Sequence, residues 1–556
     1  MSAHPPETQK KHVAVIGAGM CGLKAIKEML EAGMDVTAFE VSDDIGGIWR
    51  FTEEETLSTV YRSTRINTVR AANSFGDFPI PEGFPIAMGH EDMMRYFNLY
   101  ADKFGLRKCI EFNTRVTHVE PVEARDEKSN WSWRVETEDA EGGGSRKTGT
   151  FDGVVVCSGH HSIPHSINFK GIDEFPGLVM HSHGYKDNRK FEGKRCVVVG
   201  IGNSGSDITT EISKVATRTV LVARRGAWIV PNPFFNEDAD VTSRLDENII
   251  GRLPQEVSAS LVEAQLEPAR QMLDKVGLGP TYRFNESHPT LTLNSLENNF
   301  YKQVEEGKIE GRRGIERFEG STVHFTDGTS MEADAVVFCT GYKITFPFIP
   351  SDILEVNESN ELKLYKHMVP VGARDVDNIA FIGVAQPVGA MAMIADVQAR
   401  VAARYLSGAL KMPSREAMKQ DIAAKLDFNN KWYYKAPRHT VQVSIRPYLD
   451  ELAEMIGATP HFLRLLFKAP WLLWLVYTTP TVGAHYRLLG YGADLDLARH
   501  DILKEYKNCY AHKRNRKTLL GVLVYQLKML GIVLPMAIFY QLKSLLTTGK
   551  TFFFAW

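Results

Sequence analysis

Residues 195–215 read RCVVVGIGNSGSDITTEISKV: a short apolar run, a glycine-rich turn, then an amphipathic helix. Gly200, Gly202 and Gly205 fall at G-x-G-x-x-G spacing. In a strand–turn–helix of this kind the first glycine permits the tight turn and the second lets the backbone approach a pyrophosphate. The third lets the helix pack on the strand, and the helix N-terminus faces the phosphate charge. The same pattern stands near the start of the chain, in HVAVIGAGMCGLKAIKEML at 12–30, with Gly17, Gly19 and Gly22. Two such turns in one chain predict two dinucleotide sites.

The two units differ in charge at the strand end beyond the turn. The strand MDVTAFE ends on Glu40, 23 positions after Gly17, where a carboxylate accepts hydrogen bonds from a ribose diol. DIGGIWRF at 44–51 then adds a glycine pair and an aromatic residue. After the second turn, TVLVARRG at 219–226 puts Arg224 and Arg225 where the first unit has its glutamate. A carboxylate there would repel a 2′-phosphate, whereas a guanidinium grips one through a charge-assisted fork. The second nucleotide is therefore predicted to be NADP rather than NAD; the competing reading is a solvated surface pair.

Buried-strand runs recur at 13–16, 153–159 (GVVVCSG), 334–342 (DAVVFCTGY) and 378–384 (NIAFIGV), and AMIADVQARVAARYLSG reads as a helix ending at Gly408. This predicts an α/β chain of two Rossmann-like dinucleotide-binding domains, the second inserted into the first. The expected divisions are 1–165 and 335–445 for the first domain, and 166–334 for the second, with a polar, helical insertion at about 237–302. A helical region at 446–511 and a hydrophobic tail at 512–556 complete the chain. At 556 residues two to four domains are expected. A net charge of −2, with 24% charged residues, argues against a nucleic-acid partner. The six cysteines are scattered without a C-x-x-C pair, which predicts a reduced cytosolic setting with no disulfide framework and no metal site. The start, MSAHPPETQKKH, lacks the apolar run of a signal peptide.

FPGLVMHSHGY at 175–185 fits F-x-G-x-x-x-H-x-x-x-Y, with Phe175, Gly177, His181 and Tyr185 as its fixed points. With the two glycine turns, Glu40 and G-G-x-W, the chain resembles the flavin-containing monooxygenases. The resemblance extends to YRSTRINTVRAANSFGDFP (61–79), FCTGY (338–342, with Cys339 in place of alanine), VAQPVGA (384–390), DVQARVAARYL (396–406), RHTVQV (438–443) and HYRLLGYG (485–492), and is weakest over 237–285. It implies FAD on the first turn, held by Gly17, Ala18, Gly19, Met20, Cys21, Gly22 and Glu40, with Ile48, Trp49, Ile66, Asn67, Thr68 and Gln386 beside the flavin. It implies NADP(H) on Gly200, Gly202, Ser204, Gly205, Ser206, Asp207, Arg224 and Arg225. Asn67 and Asn203 would be the catalytic residues, and His181 would orient the inter-domain linker. The implied reaction is reduction of FAD by NADPH, addition of oxygen to give a C4a-hydroperoxide, and transfer of one oxygen atom to a soft nitrogen or sulfur nucleophile. The partners are then molecular oxygen, small lipophilic amine or sulfur substrates and membrane lipid; a homo-oligomer is compatible with it. Two rival readings are Baeyer–Villiger oxygenation of ketones and a catalytically inactive, membrane-tethered flavoprotein.

Leu519–Phe539, 21 residues, is long enough to span a bilayer at ~1.5 Å per residue. It contains Gln526, Lys528 and Pro535, and a central lysine costs roughly 2.5–3.5 kcal/mol on insertion scales. A spanning and an interfacial helix both fit. A second apolar stretch, APWLLWLVYTTP at 469–480, reads either as a headgroup-level patch or as a core helix. The resemblance implies the cytosolic face of the endoplasmic reticulum membrane.

Overall fold

Each glycine turn leaves the central strand of a five-stranded parallel sheet in the computed structural model, which describes residues 10–68, 70–122, 131–142, 144, 146–230, 244, 255–286, 290–291 and 300–511. In the first sheet the order is Ile379–Phe381, Gly153–Val156, His12–Ile16, Asp35–Phe39, Ile110–Glu111. In the second it is Ile309–Arg312, Arg218–Val222, Arg195–Val199, Ala335–Phe338, Leu178–His181. All pairings within both sheets are parallel. The central strands are rich in β-branched residues and buried along most of their length, as strands covered on both faces must be. In each sheet the strand order reverses at the central strand, and ligands of open α/β sheets bind at the carboxyl end of that position.

The two units share one build. Strand, glycine turn, helix and strand are followed by a further parallel strand. A three-stranded antiparallel sheet comes next (Thr114–Val122, Ser132–Asp139, Lys147–Phe151 in the first; Ile315–Glu319, Thr322–Phe325, Ser330–Glu332 in the second), and then a strand that returns beside the central one. The chain crosses between units twice, and the crossings meet as an antiparallel pair, Ile163–Pro164 with Tyr342–Lys343.

One expected boundary moves. The strand Ala335–Phe338 pairs with Arg195–Val199 and Leu178–His181, so it belongs to the second sheet, and the return to the first unit begins after it rather than at 335. A buried valine-rich run looks the same in either sheet, and only the pairing assigns it. The insertion contains the helix Gln255–Lys275, which runs through Pro268, and the short helix Phe300–Glu305.

The helix Met391–Leu406 returns the chain to the first unit. Its buried Ala392, Ala395, Ala399, Ala402 and Ala403 allow close packing on the helix Met20–Glu31. The C-terminal helices are Ile445–Met455, Phe462–Lys468, Pro470–Thr478 and Leu495–Ala511. Among the described residues no helix is long and apolar enough to cross a membrane; the 519–539 stretch lies outside them.

Candidate active site at two glycine turns

Gly17 has φ +98°, and a Cβ there would stand 2.7 Å from the Cys157 carbonyl oxygen. A Cβ on Gly22 would fall on the Gly17 carbonyl oxygen, so the helix can approach the strand only without a side chain. Gly19 is the extended N-cap of Met20–Glu31 and supplies no capping side chain. The first amides of that helix, at Met20, Cys21 and Gly22, are therefore left to an anion. Glu40 is 6% exposed and ties the turn together: Oε2 accepts from the Ala18 amide at 2.6 Å, and Oε1 from the Ser42 amide and hydroxyl at 3.0 and 2.7 Å. The Gly46 amide donates to the Ala18 carbonyl at 3.1 Å, which sets the segment carrying exposed Ile48 and half-buried Trp49 against the turn.

The second turn repeats these constraints. Gly200 has φ +107°, its Cβ would fall on the Cys339 carbonyl oxygen, and one on Gly205 would fall on the Gly200 oxygen. Gly202, again an N-cap without a side-chain cap, opens onto space: a Cβ there meets nothing within 4 Å. That opening, with uncapped helix amides behind it, fits a pyrophosphate. Asn203 is exposed at the helix start, Ser204 is half-buried, and buried Ser206 donates to the Asn203 carbonyl at 2.9 Å. Arg224 and Arg225 are both exposed just beyond the strand Arg218–Val222, but they differ in surroundings. The Arg225 guanidinium lies 4.8 Å over the Tyr434 ring, whereas Arg224 forms no ion pair among the described residues.

The fingerprint residues pack the second unit and touch a crossing strand. Phe175 packs edge-on against Phe318 in the second unit's core, at 5.7 Å between centroids. A Cβ on Gly177 would stand 2.5 Å from the Asp334 carbonyl oxygen. His181 lies against Tyr342 of the crossing strand, 5.4 Å away, and its Nδ1 accepts from the His183 amide at 3.1 Å. Burial first, then neighbouring His183, lowers its pKa to about 4, so it is neutral at pH 7 and supplies no charge there. Tyr185 is fully buried and donates to Glu211 of the helix Asn203–Ile212 at 2.7 Å.

Asn67 is half-buried on the first unit, and no described residue hydrogen-bonds its side chain. The Ile66 amide before it donates to the Met88 carbonyl at 2.9 Å, and Thr68 Oγ1 after it accepts from Asn73 at 2.6 Å. Gln386 is half-buried on a short strand that pairs with Gln442–Ser444. Asn67 and Asn203 thus belong to different units, and a bond between Tyr61 and Asp207 joins the stretches that carry them.

Sequence reasoning missed a buried charge cluster under the first turn. Lys24 Nζ lies 2.5 Å from Asp77, 2.8 Å from Glu28 and 2.8 Å from Asp396; Arg487 Nη2 lies 2.6 Å from Asp396 and 3.0 Å from Glu28. Lys27 and Arg400 flank it. Burial would raise Glu28, but Lys24, Arg487 and Lys27 outweigh it and hold the carboxyl down to about 2. The three carboxylates converge closely enough for a cation, but the ammonium and guanidinium already fill that role. The sequence signal was the pair of i,i+4 charges Lys24/Glu28 and Asp396/Arg400 on helices that are buried along most of their length.

Two uncapped glycine turns at the switch points of two parallel sheets, one beside a carboxylate and one beside arginines, are the architecture of a two-nucleotide oxidoreductase. The model of the family described as flavin-binding monooxygenase-like matches residues 10–545. The chain is 37% identical over 503 residues to flavin-containing monooxygenase 5 of Oryctolagus cuniculus, covering 89% of this chain and 91% of that protein. It is 35% identical to flavin-containing monooxygenase 2 of Homo sapiens, covering 87% and 89%. The chain belongs to the flavin-containing monooxygenase family; it is an enzyme, and FAD is its flavin. In fold it is similar to S-allyl-L-cysteine S-oxygenase from Allium sativum (TM-score 0.59, 22% identity, covering 90% of this chain and 98% of that one). It is also similar to OTEMO, solved with FAD and NADP (TM-score 0.58, 19% identity, 80% and 97%).

Proposed function

We propose that the chain is an NADPH-dependent monooxygenase that transfers one atom of molecular oxygen to soft nitrogen or sulfur centres of small lipophilic substrates. One observation carries this: two equivalent uncapped turns whose strands end in opposite charge, Glu40 beside the first and Arg224 beside the second. FAD sits on the first turn and NADPH on the second; when bound, the flavin accepts hydride and activates oxygen. The protein's residues bind and position. Glu40 meets the adenosine ribose, and the amides of Met20, Cys21 and Gly22 meet the pyrophosphate. Ile48, Trp49, Ile66, Thr68 and Gln386 line the flavin. Asn67 holds the oxygenated side of the site as a neutral donor and acceptor, and Asn203 stands on the nicotinamide side.

The test is nucleotide preference. Arg224→Ala removes a charge-assisted contact worth roughly 1.5–3 kcal/mol, so NADPH binding is expected to weaken about ten- to a hundredfold. NADH, which lacks the phosphate, should change little in flavin-reduction assays. Arg225→Ala should cost less, because its guanidinium is engaged on Tyr434. Equal losses for both nucleotides would place the phosphate elsewhere. A second expectation concerns Asn67→Ala: flavin reduction continues, while product formed per NADPH consumed drops and hydrogen peroxide rises. An unaltered ratio removes Asn67 from oxygen transfer.

The enzyme works at the cytosolic face of the endoplasmic reticulum membrane, with the 512–556 segment as anchor and lipid as partner. Supporting it, the two short helices Phe462–Lys468 and Pro470–Thr478 expose Leu463 (66%), Phe467 (85%) and Trp471 (48%) beside Arg464 and Lys468. In the 469–480 stretch Leu472 and Val476 are buried, as a core helix requires, and Trp471 alone of its large aromatics is exposed, which is compatible with a headgroup-level patch.

A further inference from the structure

We infer that Tyr61 is a positioning residue that latches the Asn67-bearing segment of the first unit to the nucleotide helix of the second. Its hydroxyl donates to Asp207 Oδ2 at 2.5 Å, and its ring stands edge-on to Tyr185 at 5.7 Å and 78°. Tyr185 in turn donates to Glu211. Asp207 and Glu211 are four residues apart on the helix Asn203–Ile212 and so share a face. Two tyrosines, one from each unit, dock on that face, and the N-terminus of the same helix is the second glycine turn.

The strand of contacts around Tyr61 is buried where it counts. Lys186, 6% exposed, donates from Nζ to the Leu57 carbonyl at 3.0 Å and to Thr59 Oγ1 at 2.7 Å, and its own carbonyl accepts from the Arg62 amide at 2.9 Å. His183 Nε2 meets the Thr56 carbonyl at 3.0 Å. The ion pairs outside this seam, such as Arg189 with Glu53, are exposed and contribute little. Tyr61–Asp207 is the contact that joins the seam to the nucleotide helix itself, through a short hydrogen bond to a carboxylate that is 8% exposed. Burial and the Asp207 charge hold the phenol well above its ordinary range, so it donates throughout the working pH range. Six residues beyond Tyr61 stands Asn67. The latch therefore sets where Asn67 lies relative to whatever nucleotide the second turn holds, without Tyr61 touching either.

This rests on the proposed roles of the second turn and Asn67. The test is Tyr61→Phe, which keeps the ring against Tyr185 and deletes the hydroxyl. Holoenzyme is assayed with NADPH and methyl p-tolyl sulfide. The expected result is flavin reduction within about twofold of wild type, and a three- to tenfold fall in sulfoxide per NADPH, the order of loss set by a small positioning error. Peroxide should rise to match. Both ratios are normalised to NADPH oxidised, so they remain readable if flavin occupancy falls. A wild-type product ratio in Tyr61→Phe, or losses in reduction and coupling of equal size, overturns the inference alone. A wild-type enzyme that NADPH does not reduce overturns the underlying reading and this one with it.

Discussion

Arg487→Met is expected to cost about 3–5 kcal/mol of stability, the cost of breaking a buried ion pair by removing one partner. It should be read as a lower urea midpoint for the unfolding that releases flavin. Arg487 comes from the C-terminal region and reaches Asp396 at 2.6 Å, Glu28 at 3.0 Å and Asp77 at 3.4 Å. Its other nitrogen donates to the Gly492 carbonyl at 3.0 Å. Methionine fills comparable space, so little of the loss is a cavity. The variant keeps three carboxylates against Lys24, Lys27 and the more distant Arg400, and Asp396 loses its shortest partner. Lys24 still contacts all three, but Arg400 stands 3.8 Å from Asp396 and cannot replace the lost guanidinium.

The pH dependence gives the sign. Glu28 titrates at about 2 in the fold, below the ~4.3 of an unfolded glutamate. A depressed carboxylate stabilises above its unfolded pKa, and that stabilisation is lost as pH falls from about 4.3 toward 2. Removing Arg487 raises the folded value. The deficit against wild type should be full at pH 7 and shrink below pH 4, where the carboxylates take up protons in either state. Arg487→Met/Asp396→Asn should recover part of the loss at pH 7. A deficit that does not vary with pH would mean that Arg487 acts through packing and its bond to Gly492.

Sequence distance separates the features that could be read from those that could not. The turns were legible because each role falls within six residues: Gly17 and Gly22, like Gly200 and Gly205, constrain one another's backbone directly. Glu40 was legible because a βαβ unit fixes the length between turn and strand end. The charge cluster was not, because Lys24, Asp77, Asp396 and Arg487 come from four separated segments, and a lysine on an amphipathic helix reads as a solvated one. The 485–492 and 396–406 segments matched the family pattern without showing what they do; in the fold they supply Arg487, Asp396 and Arg400 to the buried cluster. The fingerprint was legible as a pattern, but its physical content is a close approach at Gly177, a contact with the crossing strand at His181 and a helix anchor at Tyr185. The tail was read from hydropathy alone, and it lies outside the described residues.

The two turns should fail separately. Gly22→Ala is expected to give protein without bound flavin, whereas Gly205→Ala is expected to give a yellow protein that NADPH reduces at least a hundredfold more slowly. In each case the added methyl falls on a carbonyl oxygen, of Gly17 or of Gly200, and neither oxygen is the end of a flexible side chain. The strand carrying that oxygen is the centre of its sheet, so the helix must move instead. A displacement of about 1 Å at the helix start moves every amide aimed at the pyrophosphate, and misplacement on that scale can cost a hundredfold. The damage should remain in its own unit, because the neighbours of each glycine, Gly17 and Cys157 for Gly22 and Gly200 and Cys339 for Gly205, stand at strand ends of its own sheet, apart from the second turn's distant link through Asp207 to Tyr61. Flavin absorbance reads the first turn and anaerobic NADPH reduction reads the second, while sodium dithionite reduces a bound flavin without any nucleotide. Gly205→Ala should therefore bleach normally with dithionite and poorly with NADPH. Loss of flavin from Gly205→Ala would show instead that the second unit's turn supports the first, and the separate assignment of the two nucleotides to the two turns would lose its basis.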